Sequence, residues 1–160
     1  FRSVATIACA ALYERLAGMD AAAIDIDRAL ARRPDARALE EGVRRRHGAR
    51  ADEVLAELQQ KHPSPARHRE ILERLAGGWD DLWAELADVL RPAARVREIL
   101  AAGGAPVTVS GIGLTPDHLR RAFVAAREIR GRYTVLDLAF ELGLLEDVRD
   151  PVLAASGCLS

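Results

Sequence analysis

The segment Thr115-Pro116-Asp117-His118-Leu119-Arg120-Arg121-Ala122-Phe123-Val124-Ala125-Ala126-Arg127-Glu128-Ile129-Arg130 carries the marks of one kind of element. A capping hydroxyl stands before a proline at the first helical position. Leu119, Ala122, Phe123, Ala126 and Ile129 then recur at the spacing of a single helical face, which predicts a helix reaching about Arg130 with that face inward. The same punctuation runs outward in both directions. Ser64-Pro65 starts a helix that buries Ile71, Leu72 and Leu75 and closes at Gly77-Gly78. Pro34 and Asp35 open another that ends at Gly48. Asp20 caps one running to about Arg33, and a helix over 51–62 carries Val54, Leu55 and Leu58 before Pro63 stops it. Residues 79–90 present Leu82, Trp83, Leu86, Val89 and Leu90. Pro92 separates them from a helix over 93–102 that ends at Gly103-Gly104. Residues 134–142 form a further short helix. The one long non-helical stretch is 105–114, where Val107, Thr108 and Val109 could be extended, and nothing alternates long enough to make a sheet. The fold class is therefore all-α, with helices over 1–146 and a loose tail over 147–160.

Length and charge bound the function. The chain has 160 residues, 49% of them hydrophobic and 29% charged, and 23 basic side chains against 24 acidic ones. That suits one globular domain. It leaves no window for a bilayer span and no basic excess for a nucleic-acid binder. Cys9 and Cys158 offer neither a disulfide framework nor a metal knuckle, and read as reduced thiols of a cytoplasmic protein. Lys61 is the one lysine. At the start, Val4, Ile7, Ala8, Ala11, Leu12 and Leu16 fall on one helical face, with no capping residue ahead of Phe1. This leads us to expect a fragment or one piece of a divided protein. Phe1, Val4 and Ala8 would then be left uncovered and drive self-association or pairing with an N-terminal half.

Several motifs have ordinary explanations. His47, His62, His68 and His118 include no i, i+4 pair for a metal and read as surface histidines. Gly111-Ile112-Gly113 lacks the strand and third glycine of a dinucleotide fingerprint and reads as a turn. Arg44-Arg45-Arg46-His47 follows Glu40 and Glu41 by one turn, as a solvated helix end does. Thr134 to Leu144 has the rhythm of a helix-turn-helix. The segment after its glycine, however, is acidic and meets Pro151, which argues against a recognition helix.

At these residues the chain resembles a known family. Ile129-Arg130-Gly131-Arg132-Tyr133-Thr134-Val135-Leu136-Asp137-Leu138, followed by Leu142-Gly143-Leu144-Leu145, is similar to the end of sn-glycerol-1-phosphate dehydrogenases. Those enzymes belong with the iron-containing alcohol dehydrogenases and dehydroquinate synthase-like enzymes. His68-Arg69-Glu70-Ile71-Leu72 ahead of Trp79, Gly104-Ala105-Pro106 and Ile112-Gly113-Leu114 follow in the family's order. The resemblance is strong over about residues 67–147 and looser before them.

It implies the multi-helix C-terminal domain of a two-domain dehydrogenase whose Rossmann-like N-terminal domain is absent from these residues. The intact enzyme would use NAD or NADP and a divalent metal (zinc, nickel or iron), held by one aspartate and two histidines. It would interconvert dihydroxyacetone phosphate and sn-glycerol 1-phosphate, or act on a related phosphorylated polyol. The second of those histidines belongs to a His-Gly pair just before the helix that Phe1 to Leu16 resembles. His47-Gly48 is not that pair. No catalytic, cofactor-binding or metal-binding residue is thus expected in this chain, which alone would be inactive. Arg130 and Arg132 are the candidates for the substrate phosphate, because guanidinium forks suit phosphate oxygens. The family more often has Asp between them, where this chain has Gly131. The partners implied are the nucleotide-binding half, a small phosphorylated substrate and further copies of the enzyme, with neither nucleic acid nor membrane. The competing expectation is a free-standing helical interaction module without catalysis.

Overall fold

The computed structural model describes all residues, 1–160. It contains ten α-helices, three short 3-10 turns and no strand. No helix is long and apolar enough to cross a membrane. The helix α1 (Arg2–Ala17) is the axis of the main core, packed by α7 (Ala93–Ala102), α9 (Val135–Glu141) and α10 (Leu145–Ala155). Val4, Ile7, Leu12 and Leu16 on its inner face have no solvent exposure. The apolar stripe at i, i+3 and i+4 thus packs as its spacing requires. It also covers Val4 and Ala8, so the expected apolar flank at the start reduces to Phe1, which is exposed.

Around this axis, α8 (Pro116–Ala125) packs on α10, and α2 (Ile26–Arg32) packs on α5 (Pro65–Gly77). The helix α6 (Trp79–Leu86) buries Trp79, whose indole N–H donates to the Met19 carbonyl at 2.9 Å. The helices α3 (Ala36–His47) and α4 (Ala51–Gln59) form a hairpin with a separate small core of Val43, Ala51, Val54 and Leu58.

The structure corrects four expectations. Residues 20–33 are not one helix. Asp20 caps a 3-10 turn over Ala21–Ala23, and Asp25 caps α2 by accepting from the Arg28 N–H. The 79–90 helix ends at Leu86 and leaves Val89 exposed. The helix after Thr115 ends at Ala125, so Ile129 is exposed while Arg127 and Glu128 are buried. Both of those charged side chains find oppositely charged or hydrogen-bonding partners once the chain leaves the helix, Arg127 in Asp137 and Glu128 in Arg46 and His47. The loose tail expected over 147–160 is mostly helix: α10 runs to Ala155 and buries Val148, Val152 and Leu153. Pro151 lies on its exposed side, where a missing N–H costs less than the apolar burial returns. Beyond it, Cys158 is buried and its carbonyl accepts from the Val109 N–H at 2.9 Å. This pins 105–114 as an irregular segment rather than an extended one.

Candidate functional site

The connector between α8 and α9, residues 126–134, contains Arg130 and Arg132 and is held by three buried acidic side chains. Asp137 lies in the first turn of α9, where its Oδ2 accepts from the Thr134 N–H at 2.8 Å and from the Thr134 hydroxyl at 2.9 Å. Such an exchange at a helix start satisfies donors that the helix itself cannot. From the hairpin side, Lys61 Nζ sits 2.8 Å from Asp137 Oδ1 and 2.9 Å from Oδ2. The same ammonium donates to the Arg127 carbonyl and, at 3.2 Å, to the Arg132 carbonyl. Arg127 Nε lies 3.3 Å from Asp137 Oδ1, and its guanidinium stacks 3.6 Å above the Phe140 ring centre. Burial lowers the Arg127 pKa, and the charges of Asp137 and Glu128 resist that shift.

Glu128 is the second anchor. Its Oε2 accepts from Arg46 Nε at 3.0 Å and from His47 Nε2 at 2.8 Å, so the end of α3 closes over a fully buried carboxylate. Glu141 is the third. It accepts from the Tyr133 hydroxyl at 2.8 Å, and burial raises the pKa of both groups.

The surface reading holds for His118, which is exposed, but His47 and His62 are half-buried and His68 is buried. His68 is buried and donates from Nε2 to the Glu141 carbonyl at 2.9 Å, with its pKa lowered by burial. Arg33 donates to His62 Nε2 at 2.8 Å and to the Pro63 carbonyl. Burial first, and then the Arg33 charge, lower the His62 pKa to about 4. His118 lies with Nδ1 2.8 Å from the Thr115 hydroxyl. Each imidazole is thus engaged in a different place. No three His, Cys, Asp or Glu side chains converge in a metal-holding arrangement. Nor does Gly111-Ile112-Gly113 make a nucleotide cradle. It lies in a 3-10 turn over Ser110–Ile112, and Gly113 takes the left-handed conformation with φ +70°.

Arg130 and Arg132 are both exposed, and neither guanidinium forms an ion pair. Arg130 lines an open cleft of about 660 Å³ with Arg46, His47, Arg50, Glu53 and Glu57, while Arg132 lies outside it. Gly131 between them donates its N–H to Glu57 Oε2 at 2.8 Å. A Cβ at Gly131 would fall 2.6 Å from Gln60 Oε1 and 3.3 Å from Glu57 Oε2. The space near a side chain at this position is thus filled from α4, with Glu57 bringing a carboxylate there. The basic run at the end of α3 divides as well. Arg44 pairs with Glu40 and Asp52 on the surface, whereas Arg46 and His47 turn inward to Glu128.

Sequence reasoning passed over Lys61, Arg127, Glu128 and Asp137. Two signals were available. Asp137 stands three residues after Thr134, the spacing of a reciprocal cap. Arg127 stands four residues after Phe123, where an apolar stripe would continue.

No family model matches the chain, and no solved structure matches it. A segment of 43 residues, 27% of the chain, is 49% identical to a glycerol-1-phosphate dehydrogenase (NAD(P)+) of Thermofilum pendens. The matched segment spans 12% of that protein's length. Over that segment this all-helical chain is similar to part of an oxidoreductase.

Proposed function

We propose that the chain is the helical C-terminal part of an NAD(P)-dependent, metal-containing oxidoreductase. Its reaction is the interconversion of dihydroxyacetone phosphate and sn-glycerol 1-phosphate, or of a closely related phosphorylated polyol pair. The observation that carries this reading is the 49% identity over 43 residues to a dehydrogenase of that name. The all-helical architecture is compatible with it. In the intact enzyme a bound nicotinamide would supply the hydride and a divalent metal would supply Lewis-acid polarisation of the carbonyl. Both would be held by an N-terminal nucleotide-binding half.

The contribution of this chain is substrate positioning. Arg130 is solvent-facing and without an ion pair, in a cleft that also offers Arg50. A phosphate there would meet guanidinium donors without breaking an existing pair. Arg132, one residue beyond Gly131, is the second candidate. The test is steady-state kinetics on the complete polypeptide that contains these residues, with dihydroxyacetone phosphate and NADH or NADPH. Arg130→Gln should raise KM for the phosphorylated ketone about tenfold, the loss of one charged hydrogen bond, with kcat little changed. An unchanged KM in both Arg130→Gln and Arg132→Gln would refute the positioning role.

A further inference from the structure

The connector has no hydrophobic anchor of its own. Its large apolar side chain, Ile129, is exposed, as is much of the Tyr133 ring. What gives residues 127–132 a shape is polar, and most of it comes from the α3–α4 hairpin and the three residues after it. Arg46 and His47 hold Glu128, Glu57 takes the Gly131 N–H, and Lys61 takes the carbonyls of Arg127 and Arg132. Those two carbonyls bracket the segment 128–131. A tetrahedral ammonium has three donors. Here they meet three acceptors: both carbonyls and the Asp137 carboxylate, which is itself tied to Thr134. The Lys61 side chain is only 6% exposed, so water competes little for these bonds.

We propose that Lys61 is a positioning residue: it closes the end of the hairpin onto the connector and so sets how Arg130 and Arg132 are presented. The functional half of this statement rests on the reading of those arginines as phosphate-binding groups, and the anchoring half does not. Arginine cannot replace this lysine, because a planar fork does not send three donors to converging acceptors.

The test is amide hydrogen exchange on the full polypeptide, comparing wild type, Lys61→Met, Lys61→Arg and Glu57→Ala. In Lys61→Met the Gly131 and Thr134 amides should exchange at least tenfold faster, with Leu12 and Leu16 in α1 near wild-type rates. Lys61→Arg, which keeps the charge and serves if Lys61→Met does not fold, should speed the same amides several-fold. Glu57→Ala should affect Gly131 alone. Connector rates unchanged in both Lys61 variants, or raised only by the factor seen in α1, would overturn the anchoring. KM for dihydroxyacetone phosphate in Lys61→Arg separates the two halves. A rise with kcat retained supports the positioning role, whereas faster connector exchange with an unchanged KM overturns it, and Arg130→Gln and Arg132→Gln then decide the phosphate reading by themselves.

Discussion

Removing either partner of the Lys61–Asp137 pair should be among the costliest polar substitutions in the chain. The two side chains are 6% and 4% exposed and lie 2.8 Å apart. Breaking a buried pair by deleting one partner costs about 3–5 kcal/mol, because the other charge stays buried without compensation. In Lys61→Met the orphaned carboxylate keeps both Thr134 donors and has Arg127 Nε at 3.3 Å. This places the cost at the lower end, about 3 kcal/mol. Asp137→Leu leaves a buried ammonium on two carbonyls and also removes the cap of α9, so about 4 kcal/mol is expected. The double variant strands only Arg127, which loses its Asp137 contact, and should be more stable than the sum implies by about 2 kcal/mol. Arg37–Glu41 is an internal control at the same 2.8 Å, but with side chains 87% and 60% exposed. Arg37→Ala should cost less than about 1 kcal/mol. Urea unfolding of the four variants with matched m-values is the assay. Costs below about 1 kcal/mol for the Lys61 and Asp137 variants, or additivity within about 0.5 kcal/mol, would refute the reasoning.

Three other outcomes follow from single features. The folded-state pKa of His62, about 4, lies below its ordinary value of 6.5, so folding resists its protonation. The stabilisation is full above pH 6.5 and is lost as pH falls towards 4. The unfolding free energy from urea titrations should therefore fall more between pH 7 and pH 5 in wild type than in His62→Gln, by about 1 kcal/mol after discounting for partial exposure. Glu141, with its raised pKa, acts in the opposite sense in both proteins. Gly143 has φ +68°, and a Cβ there would stand 3.1 Å from Ala29 Cα. Gly143→Ala should thus cost at least about 1–2 kcal/mol from the left-handed conformation alone, seen as a lower Tm. Leu153 is fully buried. Leu153→Ala should cost about 2–5 kcal/mol, against under about 0.5 kcal/mol if residues 147–160 were a loose tail.

Local patterns yielded most of the helices and few of the tertiary bonds that shape the connector. The α1 stripe from Val4 to Leu16 was readable because six apolar positions share one face and all six are buried. Ser64-Pro65 and Thr115-Pro116 gave helix starts because a capping oxygen and a fixed φ act within four residues. The α10 helix was lost because Pro151 and the acidic residues before it read as a stop. Burial of Val148, Val152 and Leu153 outweighs them, and that depends on α1 and α8 being in place. Arg130 and Arg132 came to notice only through resemblance. What holds them was out of reach, since Lys61 and Asp137 are 76 residues apart in sequence and neither carries a local sign of the other. Ala126 and Ile129 misled by continuing a helical rhythm past Ala125, where the helix ends. Arg127 and Glu128 beyond it are buried, Arg127 against Asp137 and Glu128 under Arg46 and His47.

The most direct test of the central claim is turnover by the complete polypeptide containing these residues, loaded with a divalent metal. Dihydroxyacetone phosphate and NADH or NADPH are supplied, and the product's configuration is determined. The account predicts nucleotide oxidation matched by sn-glycerol 1-phosphate, with unphosphorylated dihydroxyacetone a far poorer substrate. Absence of turnover with either nucleotide, or equal rates with the phosphorylated and unphosphorylated ketones, would contradict it.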